Sequence, residues 1–443
     1  MNSKEFHIGL DDIDDPNGGC TTHFASFLVE LISTHSVSWI DYPNLIRLNP
    51  GIPFRTRGNG AVALRFKSES GTIVGLMPQI ERMVQDYVDE TYPNTNPGVV
   101  LVAGSPPESL RVFSQQALWR TLPIALAHRI IDRYEYPHIA HGNGRGLVGA
   151  LSAIGNTLRK DHTYEYLAYR RKEQSDMVRG VDTESVILMD QKMGDRVFSN
   201  IDDRDRILIE PHGQDPVLYG IRGESADAVI KAASLVKSTQ NVERWMVFRT
   251  NQATGEHLTH QVSINDLRPY MAAVVQGRVD IAPQIFEGGF VVFSIKDKTG
   301  RIDCAAYEPT RQFRDIISDL HIGDEVRVHA SVRPKSRTHG RTLNLEGIEI
   351  LRLASLTQVK NPLCPNCGKR MKSAGTGKGF KCVTCGYRER DGVKTETKIE
   401  RSIPLGLHLP PLSAQRHLTR PRSRFNRDNS GQSFVPQEKW HAP

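Results

Sequence analysis

Four cysteines in the last fifth of the chain constrain its local fold more than any other feature. Two Cys-x2-Cys pairs, Cys364 with Cys367 and Cys382 with Cys385, are separated by fourteen residues, and a glycine follows each pair. Four thiolates at this spacing complete the tetrahedral coordination of Zn²⁺ and leave no open position for catalysis. The pattern predicts a structural zinc ribbon over residues 357–392.

Basic residues collect around these cysteines and in the segment before them. Between residues 360 and 390, eight Lys or Arg residues accompany one acid, Glu389. Five strand-like runs over 269–356, with one helix after the third at 310–320, predict an OB-fold, and another small barrel is the alternative. The basic residues of the barrel and the ribbon suit binding to RNA phosphates, although a solvated surface hairpin would carry a similar number of them. The predicted RNA-binding residues are Arg333, Lys335, Arg337, Arg341, Lys369, Arg370, Lys378 and Lys381.

Strands and helices alternate in the first third of the chain, which predicts an α/β or α+β domain over 1–135. Further strands with two helices over 136–268 fit a ferredoxin-like antiparallel sheet backed by helices. Residues 393–443 lack periodicity and are rich in Pro, Arg and Ser, which predicts a disordered basic tail. The elements predicted in the first domain are strands at 6–10, 45–48, 61–66 and 99–103 and helices at 24–32, 72–89 and 110–128.

Composition narrows the class of protein. The 443 residues are 38% hydrophobic and carry a net charge of +7, which suits a multidomain globular protein with a polyanionic partner. No apolar run is long enough to span a membrane, and no signal segment opens the chain. Cys20 and Cys304 are isolated, so no disulfide framework is indicated. We expect a cytoplasmic protein that neither associates with a membrane nor needs an obligate protein partner.

The stretch "FHIGLDDIDDPNGGCTTHFASFLVELI" joins a predicted strand to a predicted helix through an acidic turn. Crowded carboxylates repel one another, and Mg²⁺ bound to phosphate oxygens would relieve that repulsion. Hydroxyls and anions favour the helix N-terminus that follows. The alternative is an Asx-rich surface turn with a capped helix. The candidate residues of the turn are Asp11, Asp12, Asp14, Gly18, Gly19, Thr21 and Thr22.

Two further polar motifs stand out. In "RLNPGIPFRTRGNG", glycines allow close backbone approach and arginines suit phosphate oxygens, while a basic hairpin turn is the alternative. In "SNIDDRDR" and "PHGQDPVLYGIRGE", acids are candidates for holding a cationic substrate, or they pair with neighbouring arginines. The candidates are Arg55, Arg57, Gly58, Asn59 and Gly60 for phosphate and Asp202, Asp203, Asp215 and Glu224 for the cation.

These motifs occur in one order that resembles the archaeal tRNA 2-agmatinylcytidine synthetase family. The resemblance is carried by "GLDDIDDPNGGCTT", "PNLIRLNPGIPFRTRGNGAV", "HGNGRGLVGALSAIG", "PHGQDPVLYGIRGE" and the four cysteines, and it covers residues 8–388. It implies a ligase that activates the 2-carbonyl of the wobble cytidine of the isoleucine tRNA with ATP. Agmatine then displaces the activated oxygen, and the product, 2-agmatinylcytidine, lets the anticodon read AUA.

The resemblance also implies roles for residues and domains. It implies that the first domain is an ATP-using, kinase-like module in which Thr21 is autophosphorylated, with Thr22 as the alternative. It implies that Asp11, Asp12 and Asp14 hold Mg²⁺ and ATP. A ferredoxin-like domain, an OB-fold and a zinc ribbon are expected to follow, with the last two binding the tRNA and agmatine bound by the acids named above.

The chain departs from the family pattern in two places, and two alternative functions fit its motifs. The family usually has a lysine where this chain has Arg55, and a guanidinium does not reproduce the point charge of an ammonium. The region after residue 392 is the second departure. A non-catalytic RNA-binding protein built on the OB-fold and ribbon is one alternative, and the same chemistry with another amine is the other.

Overall fold

The computed structural model describes residues 3–55, 57–69, 73–88, 92–174, 176–337, 339–430 and 434–443. Within these ranges, no helix is long and apolar enough to cross a membrane. The elements up to residue 155 are β1 (Lys4–Asp11), α1 (Thr21–Ser33), β2 (Val37–Trp39), β3 (Asn44–Arg47), β4 (Gly60–Ser68), α2 (Leu76–Tyr87), β5 (Gly98–Ala103), α3 (Glu108–Ala117), α4 (Ile124–Tyr134), β6 (His138–Ala140) and α5 (Gly146–Gly155).

The predicted strands of this region are all found, but one predicted helix is not continuous. The helix expected over 110–128 is two helices, α3 and α4, because Pro123 precedes α4 and prolines do not continue a helix. The helix expected over 72–89 is α2, and both predicted ends, residues 72 and 89, lie outside the described residues. Sequence periodicity therefore located the apolar faces but missed this break.

The elements between residues 156 and 250 are β7 (Thr163–Tyr169), α6 (Thr183–Met193), β8 (Val197–Phe198), β9 (Val217–Gly223), α7 (Ala226–Ala233) and β10 (Arg244–Thr250). Their strands extend the sheet of the first region. Eleven of the described strands form this sheet, whose central path runs β6-β5-β1-β4-β3-β10-β7-β9-β8. The two halves meet where β10 pairs in parallel with β3.

Helices cover both faces of β1. On one face, Phe6, Ile8 and Leu10 pack in a core with α1 and α2. On the other face, a second core gathers side chains of α3, α4 and α5, and most of α5 is buried. Because β1 is covered on both sides, its C-terminal end holds the loop that follows it in a fixed place.

The next sheet curls into a barrel. Its elements are β11 (Ala272–Ile285), β12 (Val291–Lys296), β13 (Arg301–Ala306), α8 (Gln312–Ser318), β14 (Glu325–Arg333) and β15 (Thr342–Arg352). The order β13-β12-β11-β14-β15 is closed by a parallel pairing of β13 with β15. The five strands and the helix after the third strand agree with the sequence prediction for this region.

The remaining strands are short: β16 (Leu356–Lys360), β17 (Lys372–Ser373), β18 (Phe380–Lys381), β19 (Arg388–Glu389), β20 (Thr395–Ile399), β21 (Gly406–His408) and β22 (His441–Ala442). The strands β17, β18 and β19 form a small antiparallel sheet around the cysteines. Its hairpins agree with the predicted ribbon.

The C-terminal segment, residues 393–443, is not the disordered tail that the sequence predicted. Its strands β20, β21 and β22 pair with β16, β15 and β10. Trp440 is buried in the first core, where its ring lies 5.6 Å from Trp39 and 6.2 Å from Tyr42. The segment packs through isolated side chains on mostly irregular backbone, so it lacks the periodicity by which sequences reveal ordered elements.

Candidate active site

The acidic turn, residues 11–22, holds the hydroxyl of Thr21 against a carboxylate. Thr21 is the first residue of α1 and is buried. Its Oγ1 donates a hydrogen bond of 2.6 Å to Oδ2 of Asp14 and accepts one of 3.2 Å from the backbone N–H of Ile13. The hydroxyl is therefore fixed in direction, and the group that receives its hydrogen bond is a possible base.

Asp11 and Asp12 are arranged differently from Asp14. The guanidinium of Arg145 donates to Asp12 from Nε at 2.9 Å and from Nη2 at 3.2 Å. Burial raises the pKa of Asp12, and Arg145 opposes this shift. Burial, and then the negative charge of Asp12, raise the pKa of Asp11 well above its usual range. In the part of the chain described, these acids do not bring three ligand atoms within 4.8 Å of one another.

The motif "HGNGRGLVGALSAIG" forms the wall behind these acids. It supplies Arg145 and then α5, whose first turn brings Gly149 against the side chain of Asp11. A Cβ atom on Gly149 would lie 1.8 Å from Oδ2 of Asp11, so only glycine allows this approach. Contact with the acidic turn therefore explains a glycine at this position of the motif.

Besides one cavity bordered by Asp14 and Asp15, two cavities open on the acidic turn. The first, of about 500 Å³, is bordered by Asp14, Thr21 and Thr22, and the second, of about 320 Å³, is bordered by Asp11 and Asp12. The carboxylates that the sequence places side by side therefore serve two different spaces. The other acids, arginines and histidines that line the first cavity are Arg47, Glu165, Glu210, His212, Asp215, Arg222, Arg416 and His417.

Basic side chains form one wall of the first cavity. Nε of Arg222 donates to Oε1 of Glu165 at 3.1 Å, and Nη2 of Arg47 lies 3.7 Å from the other oxygen of Glu165. Burial lowers the pKa of Arg47, while Glu165 acts in the opposite direction. Gly58 has φ 65°, and a Cβ there would lie 2.4 Å from Nη1 of Arg47. The glycine of the RGNG motif thus leaves room for this guanidinium.

The second cavity is largely apolar. Leu48, Ile52, Leu122, Pro123 and Val148 contribute to its lining. Its polar border consists of the two acids of the turn together with Arg55, Asn59, Arg120, Thr121 and Arg145. An apolar space with carboxylates and guanidinium groups at its border has the composition expected of a site for a nucleotide.

The predicted phosphate residues before β4 are divided between these spaces. Nη1 of Arg55 donates to a loop carbonyl at 2.6 Å, and Nδ2 of Asn59 donates to another at 2.8 Å, both in the loop 49–50. Both side chains also border the second cavity, whereas Gly60 borders the first. The side chain of Arg57 lies outside the described residues.

The acids predicted to hold a cationic substrate do not come together. Asp215 lines the first cavity, where its Oδ1 accepts a hydrogen bond of 2.8 Å from Arg179. Asp202 binds Arg206 and backbone N–H groups of its own turn, and these hydrogen bonds, the one from Arg206 above all, lower its pKa to about 2. Asp203 is exposed. Of the four, Asp215 borders this cavity and the other three do not.

Glu224, the last of these acids, binds the C-terminal segment instead. Nε of Arg424 donates to its Oε1 at 2.8 Å, and Nδ2 of Asn429 donates to its Oε2 at 3.0 Å. Arg424 is fully buried and also donates to Asp161. Sequence reasoning missed this cluster because the partners it joins are about 200 residues apart or more along the chain.

The comparisons with known proteins agree with this arrangement. A family model described as the TiaS TCKD domain matches residues 7–76, the TiaS FLD domain matches 144–257, and the TiaS C-terminal zinc ribbon domain matches 361–403. The isoleucine-2 tRNA 2-agmatinylcytidine synthetase TiaS of Staphylothermus marinus is 41% identical over 439 residues, which are 97% of this chain and 96% of that protein. This chain belongs to the TiaS family.

Solved structures of the TiaS family extend the likeness to the whole fold. The TiaS chain in a solved complex with isoleucine-2 tRNA and ATP is 38% identical to this chain, with a TM-score of 0.85. The match covers 98% of this chain and 100% of that TiaS chain. A complex of TiaS with the same tRNA, AMPCPP and agmatine is 36% identical with a TM-score of 0.83, over 97% and 100% of the two chains. The resemblance inferred from the sequence motifs is confirmed.

The zinc ribbon of this TiaS family member brings its four cysteines together. The Sγ atoms of Cys364 and Cys385 are 3.4 Å apart, as are those of Cys367 and Cys382, and all four lie within 4.8 Å of one another. Sulfurs bound at ~2.3 Å around one tetrahedral Zn²⁺ lie ~3.8 Å apart, so the cluster fits that ion. Within the described ranges, it is the one group of three or more such side chains at this spacing.

The basic residues predicted to bind RNA lie on the surface of the barrel and ribbon. All eight are exposed. Arg333 donates to the hydroxyl of Tyr307 at 2.6 Å, and Arg341 donates to the backbone carbonyl of Leu267. These contacts fix the positions of the two arginines, whereas Lys335 and Arg337 project from the loop between β14 and β15.

Proposed function

We propose that this chain joins agmatine to the wobble cytidine of isoleucine-2 tRNA in an ATP-dependent reaction, giving 2-agmatinylcytidine so that the anticodon reads AUA. Its relatives carry the name of that synthetase over nearly their full length. Solved structures of the family hold this tRNA, ATP, an ATP analogue and agmatine. The non-catalytic alternative has no support among these relatives.

The observation that carries the proposal is the contact between Thr21 and Asp14 in the first cavity. A hydroxyl that already donates to a carboxylate can lose its proton as its oxygen attacks the γ-phosphorus of ATP. The new bond is Oγ1–P, ADP leaves, and Asp14 takes the proton. The N-terminus of α1 faces the same cavity and stabilises the phosphate that forms on Thr21.

The second cavity is our proposed site for the adenosine of ATP, from which the phosphates would extend toward Asp14 and Thr21 through a further cavity bordered by Asp14, Arg55 and Arg145. The apolar walls of the second cavity suit the adenine ring, and Asp11, Asp12 and Arg55 lie where the phosphates would reach the turn. Asp11 and Asp12 would hold Mg²⁺, which usually takes one or two carboxylates together with phosphate oxygens and water. When bound, the ion would neutralise charge on the transferring phosphoryl group. After burial, the negative charge of Asp12 is the next cause that raises the pKa of Asp11, and a bound cation would relieve this repulsion between the two carboxylates.

Agmatine carries two positive charges and needs carboxylates. Asp215 and Glu210 both line the first cavity. They belong to the loop 208–217, which is far along the chain from the RGNG turn. We propose Asp215 as the residue that holds one cationic end. Asp202 and Glu224 fit a structural role better, since neither lines this cavity and their oxygens bind Arg206 and Arg424.

The barrel and the ribbon supply the tRNA surface in this proposal. The closed strand order of 269–356 supports an OB-fold there, and the strands β7 to β10 with the helices α6 and α7 support a ferredoxin-like domain over 136–268. The kinase-like domain over 1–135 also needs α5 from beyond that boundary, since α5 packs in the core on one face of the sheet. The exposed cations of the barrel and ribbon would bind phosphates without regard to sequence.

Incubation of the protein with ATP, labelled agmatine and an AUA-reading isoleucine tRNA tests the activity. We expect the label at the wobble cytidine, and its absence with a tRNA carrying uridine there. A lack of incorporation in the presence of all three substrates would contradict the proposal.

The agmatine site is tested separately by Asp215→Asn, with the exposed Asp203→Asn as the matched control. Losing a carboxylate from a buried guanidinium typically costs 2–5 kcal/mol, so we expect the agmatine KM to rise ~30-fold or more in Asp215→Asn. Thr21 phosphorylation should not change. A KM within about twofold of the wild type would place the amine elsewhere.

A further inference from the structure

A third cavity lies between the loop before β4 and the C-terminal segment. Its volume is about 400 Å³, and it shares Arg47, Gly58, Arg416 and His417 with the first cavity. Three arginines line it, namely Arg47, Arg55 and Arg416, and none of its described lining residues is a carboxylate. Its border is therefore cationic, unlike the mixed border of the first cavity.

The charges around this cavity are only partly balanced. One carboxylate, Glu165, is shared between Arg47 and Arg222. Another, Glu346, borders a different cavity that Arg416 also lines. Burial, and then the charge of Arg416, lower the pKa of Arg55. Mutual repulsion of this kind is what an anion would relieve.

His417 adds a neutral group to the cluster rather than a further charge. Desolvation within the cavity, and then the charges of Arg47, Arg222 and Arg416, lower its pKa well below the usual range. In the neutral ring Nδ1 can accept the hydrogen bond from Nη2 of Arg222, which lies 3.0 Å away. The imidazole thus orients a guanidinium of the same wall without adding to the repulsion.

The cationic border has a fixed position because the C-terminal segment is anchored on both sides of it. Upstream, β21 pairs with β15, and downstream Arg424 is buried against Asp161 and Glu224. The backbone of residues 253 and 255 also donates to the carbonyls of His417 and Leu418 at 2.8 and 2.7 Å. Such preorganised donors bind phosphate with little loss of side-chain freedom.

We propose that this cavity binds a phosphate group through Arg47, Arg55 and Arg416, and that the C-terminal segment supplies Arg416 for this purpose. The inference rests on the proposed function, which brings two phosphate-bearing ligands, ATP and tRNA, to this region. Arginine suits the role because its guanidinium matches phosphate oxygens in pairs.

The test measures binding without turnover, using the full chain. Inorganic phosphate, a non-hydrolysable ATP analogue with Mg²⁺, and a transcript of the isoleucine-2 tRNA are titrated into the wild type, Arg416→Gln and Arg422→Gln. Arg422 is the matched control because it is an exposed arginine of the same segment. We expect Arg416→Gln to weaken at least one ligand tenfold or more, and Arg422→Gln to leave all three within twofold.

The three arms distinguish the source of the phosphate. A loss confined to tRNA assigns the cavity to a backbone phosphate, and a loss with inorganic phosphate or the nucleotide assigns it to ATP. Arg416→Lys keeps the charge but not the paired N–H donors, so its affinity should lie between those of the wild type and Arg416→Gln. If Arg416→Gln binds all three ligands as the wild type does, or if Arg416→Lys loses as much as Arg416→Gln, the proposal is wrong. Because no agmatine is used, these results stand whether or not 2-agmatinylcytidine forms.

Discussion

The acidic turn and the C-terminal segment border the same cavity but differ in how they reach it. The turn does so with contiguous residues at the end of a buried strand, so Asp14 and Thr21 arrive together. The C-terminal segment does so with Arg416 and His417, held on irregular backbone by distant partners. Chemistry concentrated in one stretch of sequence is easy to recognise, whereas chemistry that depends on long-range anchoring is not.

The largest effect should come from the turn, through Asp14→Asn. An amide cannot accept the proton of Thr21, so we expect phosphorylation of Thr21 and agmatine incorporation to fall ~10²–10⁴-fold. Intact-mass spectrometry after incubation with ATP measures the first. Asp86→Asn, an equal charge change on the exposed side of α2, is the control. Phosphorylation of Asp14→Asn at the wild-type rate would show that another group takes the proton.

In the C-terminal segment, Arg424→Met should instead lower the free energy of unfolding. Removing one partner of a buried ion pair leaves the other charge uncompensated and typically costs about 3–5 kcal/mol. Here Glu224 would lose its arginine, and Asp161 would keep Arg420 but lose Arg424. Urea denaturation followed by tryptophan fluorescence measures the loss, with Arg422→Met as the exposed control. Equal midpoints for the two variants would contradict an anchoring role.

A smaller effect is expected on lowering the pH, through His162 beside the C-terminal segment. Its buried ring lies 5.2 Å from that of Phe434. Burial, and then the charge of Arg249, lower its pKa from 6.5 to about 4. In the unfolded chain the ring of His162 is protonated below about pH 6.5, whereas in the folded protein it stays neutral down to about pH 4. The stabilisation is therefore complete above pH 6.5 and is lost as the pH falls, by ~2 kcal/mol at pH 5.

Comparison of the wild type with His162→Gln isolates this contribution. The glutamine variant should lose less stability between pH 7 and pH 5 than the wild type. His7 in β1, whose pKa burial lowers to about 3, gives a slope of the same sign in both proteins and cancels. Identical pH dependence of the two urea midpoints would exclude His162 as the source.

The smallest effect should come from exposed cations that belong to neither region. Replacing Lys335 and Arg337 with alanine removes at most two phosphate contacts. We expect the slope of log affinity for tRNA against log salt to become shallower by ~0.7 per contact, with ATP binding unchanged. This contrasts with Arg416, for which nucleotide binding can change as well. An unaltered salt slope would show that these two side chains do not touch the tRNA.

Local signals in the sequence were enough for much of the fold. Short apolar runs located β1, β4 and β5, and the cysteine spacing predicted the ribbon. The break between α3 and α4 was missed although Pro123 was visible, because the apolar period continues across it. The joining of the first two regions into one sheet was also missed, since the pairing of β10 with β3 links residues about 200 positions apart.

The candidate site was predicted where its residues are neighbours in sequence. Asp14 and Thr21 meet as the turn suggested, and Asp215 lies in the same cavity. The sequence did not indicate that Arg145 binds Asp12, or that Arg424 binds Glu224. Those pairs depend on tertiary packing, and charge runs alone do not reveal which acid meets which base.

The burial of Trp440 and the pairing of β22 with β10 bear on how the protein is made. The first sheet can form while the chain is still being synthesised, because its other strands precede residue 251. The basic wall is then incomplete, since Arg47 and Arg222 are present but Arg416 has not yet been synthesised. A chain that ends before Arg416 would keep Thr21 and Asp14 but would lack one arginine of the proposed phosphate site. If Thr21 and Arg416 act as proposed, catalysis requires the C-terminal segment as well as the acidic turn.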